Sequence, residues 1–338
     1  MMRIVQESPP PIRHTPNFFL VGAPKAGSTS LNHYLDQHPQ IYMSPIKEPH
    51  YFADEIRPDN FDDEMRRLTE PGLAALRKYL QGPAAAKFSG GPVTEWQDYL
   101  KLFQHVKGET AIGEASVGYL WSKTAARNIA AQFPEAKILI VLRDPIERTF
   151  SQYRHLLSTA KSYVSFREEV DASLRATSTR LGRLYPFLEF GLYYQQVKRY
   201  FALFPREQVR IYFYEEYLRN PLDLLQDVFR FLSVEQSFVP DFSRKYLPAR
   251  VQRSYILNRL LRRLGLWQRV SDLSPSVLRR QLQRVAFRPG NVLALDPADR
   301  ARLVDFYRDD IRNLSSLLNR DLSHWLDGGL ITAPRPAA

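Results

Sequence analysis

The sequence contains no cysteine among its 338 residues. Disulfides, thiolate nucleophiles, iron–sulfur clusters and cysteine-ligated zinc are therefore excluded together. Long apolar runs are also missing. The longest, Phe18 to Val21 and Ile138 to Leu142, fall far short of the roughly 18 to 20 residues that a membrane-spanning helix needs. The N-terminus, with prolines from Pro9 to Pro11, lacks the order of a secretory signal. We therefore expect a cytoplasmic chain that does not span a membrane.

Acidic residues are fewer than basic ones: the sequence has 36 aspartates and glutamates and 47 lysines and arginines, which gives a net charge of +11. The excess is concentrated in segment 250–290, which holds ten arginines and a single acid, Asp272. Such charge favours anionic ligands or partners. Leucines at helical spacing predict a basic helical segment here. It is either an interior helix with a solvated arginine face or a surface helix for a peripheral membrane or acidic partner.

Repeats, low-complexity tracts and glycine–serine linkers are absent from the sequence. We therefore expect one domain over 17–330, with a flexible arm at 1–16 and a tail at 331–338. Segments 54–110 and 158–187 lack a regular pattern. We expect them to be irregular, to cover the sheet edges and to contact the acceptor of the reaction predicted below.

Short apolar runs typical of buried strands alternate with amphipathic stretches typical of helices. The pattern predicts strands at Phe18–Gly22, Lys137–Leu142 and Gln208–Tyr214, and a long closing helix at Asp299–Leu318. The predicted fold is a three-layer, P-loop-like α/β domain with a central parallel sheet flanked by helices.

The turn after the first predicted strand, from Gly22 to Ser30, reads GAPKAGSTS. Backbone amides at the following helix start, hydroxyls and one lysine can converge there on a phosphate. A Walker A loop would need lysine directly after the second glycine, where Ser28 stands. Lys25 lies inside the loop instead, where its ammonium can reach the bridging oxygen of a phosphoanhydride. The candidate residues are Lys25, Ala26, Gly27, Ser28, Thr29 and Ser30.

A second polar turn follows the strand at Lys137–Leu142 and reads RDPIERTFS. Arg143 stands at the strand's carboxyl end, the edge at which open α/β sheets bind ligands, and its guanidinium suits a second phosphate. Asp144 as N-cap and Pro145 as first helical residue predict a helix here. Ser151, two turns further on, can join Arg143 on that phosphate. The alternative is a structural ion pair between Arg143 and a carboxylate.

The segments PKAGSTSL and RDPIERTFSQY together resemble the 5′-phosphosulfate loop and the 3′-phosphate motif of sulfotransferases that use 3′-phosphoadenosine 5′-phosphosulfate. The resemblance extends through KEPHYF, GEASVGYL, FGLYYQQVKRYFALFP, IYFYEEYLRNP and the closing helix, over most of 17–327. It is nearest to the bacterial and heparan-sulfate branch. It implies that the 5′-phosphosulfate lies in the first loop and that the 3′-phosphate meets Arg143 and Ser151. Arg250 and Arg253 would lie in the last loop that reaches this phosphate. No metal is expected.

In-line sulfuryl transfer needs a base on the acceptor hydroxyl and positive charge near the leaving oxygen. The KEPHYF segment resembles the one in which heparan-sulfate O-sulfotransferases place their catalytic glutamate. The resemblance implies Glu48 as the base, with His50 as second choice, and Lys25 as the group that stabilises the leaving phosphate. His155 falls where related enzymes place a side chain near the acceptor, although a helix-surface histidine is the alternative.

Two positions depart from the family pattern. Ala53 stands where an aspartate follows the paired aromatics, and Ala115 stands where a substrate-binding lysine is expected. The identity of the acceptor therefore does not carry over.

The sequence thus predicts a sulfotransferase that moves a sulfuryl group to an acceptor hydroxyl, or to an amine, and leaves adenosine 3′,5′-bisphosphate. Glycan, lipid and small-molecule acceptors all fit, no nucleic-acid partner is expected, and the oligomeric state is open. One alternative is a P-loop nucleotide kinase, which would need the Walker lysine and a magnesium-binding acid. The other is a module that binds anionic membranes or nucleic acid through 250–290.

Overall fold

A computed structural model of the chain describes residues 14–159, 162, 164–243, 251–252, 287–288 and 294–327. The strands in these ranges are β1 (Phe18–Gly22), β2 (Ile41–Met43), β3 (Ile46–Lys47), β4 (Phe88–Ser89), β5 (Ala111–Ala115), β6 (Lys137–Leu142), β7 (Val209–Phe213), β8 (Val251–Gln252) and β9 (Phe287–Arg288). The helices are α1 (Ser28–Leu35), α2 (Asp63–Gln81), α3 (Trp96–Lys101), α4 (Gly118–Trp121), α5 (Ala125–Gln132), α6 (Pro145–Ser158), α7 (Phe166–Arg175), α8 (Tyr193–Leu203), α9 (Tyr214–Arg219), α10 (Pro221–Leu232) and α11 (Pro297–Leu318).

Five parallel strands form the central sheet in the order β2-β5-β1-β6-β7. Every residue of β1 is buried, because this central strand is covered by helices on both faces of the sheet. Phe18 pairs with Gly113 of β5 on one side and with Lys137 of β6 on the other. The predicted fold class, a parallel sheet flanked by helices, is confirmed. The predicted strand Gln208–Tyr214 is one residue shorter at each end.

Helix α6 begins as its sequence predicts. The Asp144 carboxylate accepts hydrogen bonds from the amides of Ile146 (2.8 Å) and Glu147 (3.4 Å), and Pro145 is the first helical residue. Its apolar face, including Ile146 and Phe150, is buried in the core. The cap therefore fixes where β6 ends and α6 begins, and this junction carries Arg143.

Helix α11 closes the domain close to its predicted bounds. The Tyr307 side chain is fully buried, and its hydroxyl lies 2.8 Å from both the Leu188 carbonyl and the Thr149 hydroxyl of α6. Phe306, which the periodicity places on the same apolar face, is 36% exposed. Since consecutive helical residues point about 100° apart, burying Tyr307 turns its neighbour toward solvent.

The prediction that 54–110 and 158–187 are irregular is wrong where each segment forms a helix. The first contains α2, a helix of 19 residues, and the second contains α7. The buried stripe of α2 consists of only three leucines, Leu73, Leu76 and Leu80, and an exposed proline, Pro71, lies inside the helix, where proline usually predicts a break. Both helices begin at capping side chains, Asp62 for α2 and Ser165 for α7.

Several predictions concern residues outside the described ranges. They include most of the arm at 1–16, the tail at 331–338 and nearly all of the basic segment 250–290, of which the antiparallel pair of β8 and β9 is described. Within the described residues, no helix combines the length and the apolar character needed to cross a bilayer.

Candidate active site

A cleft of about 530 Å³ opens beyond the carboxyl ends of β1 and β6. It brings together most of the residues singled out in the sequence: Lys25, Gly27, Ser28, Thr29, Ser30, Glu48, His50, Arg143, Ser151 and His155. Ala26 lies behind the cleft, since it is fully buried and its N–H donates to the Ala23 carbonyl (3.3 Å). His155 lines the cleft and is also exposed to solvent. Arg250 and Arg253 lie outside the described residues.

The loop before α1 is shaped by two residues in the left-handed region, Lys25 (φ 68°) and Gly27 (φ 86°). A Cβ added at Gly27 would lie 3.0 Å from the ring of Tyr214, so space and conformation both require glycine. Among the described residues, no side chain caps α1. Its first amides therefore point out of the helix without a side-chain acceptor, an arrangement that can bind an anion.

Lys25 has an unusual charge environment for a lysine in a cleft. Burial, reinforced by the nearby Arg143 guanidinium, lowers the pKa of Lys25 to about 8, and Glu48 opposes this shift only partly. Burial and the same guanidinium also lower the pKa of Arg154. These three cations repel one another, and an anionic ligand would relieve that repulsion.

Arg143 is held mainly by contacts with uncharged groups. Its Nη1 donates to the Lys25 carbonyl (3.1 Å), and its guanidinium carbon lies 4.7 Å from the ring centroid of Tyr214. Its Nε is buried without a hydrogen-bond partner in the described residues. Glu147 approaches Arg143 no closer than 4.0 Å and pairs instead with Arg300 at 3.1 Å. The structural ion-pair alternative is represented among the described residues only by this 4.0 Å contact with Glu147.

Glu48 and His50 lie on a tight turn after β3, and both adopt left-handed conformations (φ 67° and 51°). Residues other than glycine rarely hold such angles, and strain of this kind concentrates at functional sites. The turn is pinned to β5 and to the residue after it: the Glu48 amide donates to the Ala115 carbonyl (2.8 Å) and the His50 amide to the Ser116 hydroxyl (3.1 Å).

The Glu48 carboxylate is about one-third exposed, faces the Lys47 ammonium and lies 3.6 Å from Nε2 of His50. Burial alone would raise the pKa of Glu48. The positive charge of Lys47 and the hydrogen bond to His50 outweigh burial and hold this pKa below its usual range. Glu48 is therefore ionised at neutral pH and able to accept a proton.

A buried carboxyl group behind this turn was not singled out in the sequence. Glu114 on β5 is fully buried beside the hydroxyls of Tyr99, Tyr119 and Ser116, and burial raises its pKa to about 8. The Tyr119 hydroxyl accepts from the Phe52 amide (3.2 Å), so this polar cluster supports the turn that carries Glu48. The sequence could have indicated this buried carboxyl group, because a glutamate inside the apolar run AIGEA is unusual.

A protein-family model described as the sulfotransferase family matches residues 16–238. The chain belongs to the sulfotransferase family. The resemblance seen in the sequence is thus confirmed, and it favours this interpretation over a nucleotide kinase. A solved structure of a sulfotransferase from Alicyclobacillus acidocaldarius is similar, with a TM-score of 0.68 and 32% identity over 92% of this chain and 99% of that one.

Curated relatives of this sulfotransferase-family chain include carbohydrate sulfotransferase 15 of Rattus norvegicus, 29% identical over 270 residues. That match covers 66% of this chain and 44% of the relative. Another is the bifunctional heparan sulfate N-deacetylase/N-sulfotransferase 3 of Homo sapiens, 25% identical over 319 residues, which covers 92% of this chain and 31% of that protein. The chain therefore spans less than half the length of these two relatives.

Proposed function

We propose that this sulfotransferase-family chain transfers a sulfuryl group from 3′-phosphoadenosine 5′-phosphosulfate to an acceptor hydroxyl, or to an amine. The observation that carries the proposal is one cleft in which the uncapped start of α1 and two mutually repelling cations, Lys25 and Arg143, face an ionised carboxylate, Glu48. The cations suit a polyanionic donor, and the carboxylate suits an acceptor that must lose a proton.

The residues present fit this donor. A buried guanidinium Nε without a partner, an uncapped helix start and mutually repelling cations are features that a phosphate-bearing ligand would satisfy. Lys25 and residues 27–30 would hold its 5′-phosphosulfate. Arg143 and Ser151 would hold its 3′-phosphate, with Arg250 and Arg253 as further contacts. When bound, the donor supplies the sulfuryl group and leaves as adenosine 3′,5′-bisphosphate.

The protein's own part in the reaction is proton transfer and charge stabilisation. Glu48 accepts the proton of the acceptor hydroxyl through its carboxylate oxygen, while His50 and Lys47 keep that carboxylate ionised and oriented. Because the pKa of Glu48 is low, proton transfer accompanies attack, when the acceptor oxygen becomes acidic. The Lys25 ammonium stabilises the negative charge on the departing phosphate oxygen.

The names of the two curated relatives include carbohydrate and heparan sulfate. A glycan is therefore a candidate acceptor, as are a lipid and a small molecule. A cytoplasmic location and a peripheral contact through 250–290 stay predictions.

Thermal unfolding tests the donor class. We expect adenosine 3′,5′-bisphosphate to raise Tm well above the value reached with ATP and magnesium, since a ligand at 100 times its Kd stabilises the folded state by about 2.7 kcal/mol. Both ligands are compared at equal concentration. Equal or greater stabilisation by magnesium ATP would contradict the proposal and favour a kinase.

Arg143→Ala should weaken bisphosphate binding roughly 10- to 150-fold, because a hydrogen bond to a charged group contributes about 1.5 to 3 kcal/mol. Calorimetry measures the Kd. Arg77→Ala is the matched control, since Arg77 is an exposed arginine of α2 paired with Glu70 at 2.6 Å. An unchanged Kd in the Arg143 variant would mean that Arg143 only braces the Lys25 carbonyl.

Bisphosphate affinity should depend on pH through Lys25. The anion binds the charged ammonium, so affinity is full below the Lys25 pKa of about 8 and falls as pH rises through it. The decline should approach roughly tenfold per pH unit above 8, while the phosphates of the ligand, with second pKa values near 6, stay fully ionised. Calorimetric titrations between pH 7 and pH 9.5 measure it, and Lys25→Met should flatten the curve. An equal decline in that variant would assign the pH dependence to another group.

A further inference from the structure

We infer that the acceptor carries an uncharged apolar body, the size of a ring system or a short acyl chain, next to the group that is sulfated. The inference rests on the proposed function, because it takes the end of the cleft at Glu48 and His50 as the acceptor end. It concerns the side of the cleft built by residues 56–68 and 181–190, called here the acceptor wall.

The acceptor wall presents mainly apolar side chains to the cleft. Met65, Leu68, Leu181 and Phe190 are at least partly exposed, and the buried Ile56 and Phe187 lie behind them. Leu68 lines the cleft and is 56% exposed, an unusually large exposed fraction for a leucine. When an apolar ligand displaces water from an open cleft lined by aliphatic and aromatic side chains, the binding free energy becomes more favourable.

The acceptor wall begins directly beside the turn that carries Glu48 and His50. A Cβ added at Gly118 would lie 2.3 Å from Cδ1 of Ile56 and 3.1 Å from Cε1 of His50, so these two side chains flank the same glycine. A group whose hydroxyl reaches Glu48 would therefore lie at the inner end of the wall, where Ile56 is buried. The apolar surface is in a position to select what lies next to the reacting oxygen.

The wall is held in a fixed form by bonds between its two segments. The Leu181 amide donates to the Asn60 carbonyl (3.0 Å), and the Asp62 amide donates to the Leu181 carbonyl (2.9 Å). Asp62 also caps α2 and packs against Gly182, where an added Cβ would lie 1.8 Å from its carboxylate. The cleft is therefore preformed, and an apolar ligand need not order two loose loops to bind.

The charges of the wall disfavour a polyanionic acceptor. Its one lining cation among the described residues, Arg183, lies 2.6 and 2.5 Å from the two carboxylate oxygens of Glu169, a fully buried residue. That charge is already matched. Glu64 lines the wall as an exposed carboxylate, and Glu48 is ionised. The wall therefore offers a sulfated or uronic-acid glycan no unpaired cation among its described lining residues, whereas an uncharged apolar body needs none.

A matched pair of acceptors tests the inference. Octyl β-D-glucoside, below its micelle concentration, and methyl β-D-glucoside share the same hydroxyls and differ only in the apolar body. We expect kcat/KM to be at least roughly tenfold higher for the octyl compound, since a hydrophobic pocket discriminates by about that factor for even one methylene. A chondroitin oligosaccharide serves as the polyanionic acceptor and should be a poor substrate.

Leu68→Lys places a charge on the wall at an exposed helix position. It should lower the octyl preference several-fold, mainly through KM, and leave bisphosphate affinity unchanged. Leu174→Lys is the control, because Leu174 is 50% exposed on α7 and lies outside the cleft lining.

The possible outcomes separate the two proposals. Equal use of both glucosides, preferential sulfation of the chondroitin oligosaccharide, or a Leu68→Lys variant with unaltered preference would each overturn the apolar-acceptor inference while bisphosphate binding and transfer persist. Absence of bisphosphate binding in the unmodified protein would overturn the proposed function itself.

Discussion

Glu48→Gln should reduce turnover roughly 100- to 10,000-fold, the usual cost of removing a general base. Glutamine keeps the size of the side chain and an oxygen that can accept from Lys47, but it cannot take a proton. Bisphosphate affinity should stay nearly unchanged, because Lys25 and Arg143 are untouched. Sulfuryl transfer to the best acceptor of the panel measures kcat, and calorimetry measures the Kd.

Glu70→Gln provides the control for Glu48→Gln, since Glu70 is an exposed carboxylate paired with Arg77 on the outside of α2. Its turnover should match that of the unmodified protein. If Glu48→Gln retained near-normal turnover, the base would be His50 or His155. Both histidines line the cleft, and the His50→Ala and His155→Ala variants would then separate the two.

Lys25→Met should lower kcat roughly 100- to 1,000-fold, the range seen when one donor to a developing oxyanion is removed. Methionine is unbranched and similar in length, so it fills the space of the lysine stem without its charge. The same change removes one of the cations that repel one another in the free protein. Without ligand, the Tm of the Lys25→Met variant should therefore equal or exceed that of the unmodified protein, although its kcat is much lower.

Lys123→Met is the control for the lysine variant, since Lys123 is an exposed lysine after α4. It should leave kcat unaltered. A Lys25→Met protein with unchanged kcat and weaker bisphosphate binding would show that Lys25 binds the donor equally in ground and transition states.

The position of the proposed donor half of the site was predictable because its parts are local in sequence. Each proposed phosphate-binding group follows a buried strand within one short turn, and parallel strands bring such turns to the same sheet edge. Residue order alone therefore indicated that the loop from Lys25 to Ser30 and the Arg143 turn would lie together, and both line the cleft. The Asp144 cap and the first helical proline were likewise readable.

The acceptor half was predictable only as a location. Segments 54–110 and 158–187 were expected to contact the acceptor, and lining residues from both reach the cleft. Their apolar surface depends on pairing between Leu181 and residues 60–62, a contact across more than a hundred residues that no local pattern indicates. The left-handed angles of Glu48 and His50 likewise follow from their bonds to β5 and Ser116 rather than from residue type.

The backbone ladder between residues 60–62 and Leu181 also bears on how members of the family can diverge. The two segments hydrogen-bond to each other, while the turns that carry Lys25 and Arg143 follow strands of the central sheet. These backbone bonds survive a change of side chain, but a Cβ added at Gly182 would lie 1.8 Å from the Asp62 carboxylate. Under the proposed function, acceptor range can therefore change within these two segments while the donor turns stay the same. A side chain at position 182 should accordingly be accompanied by a smaller residue at position 62.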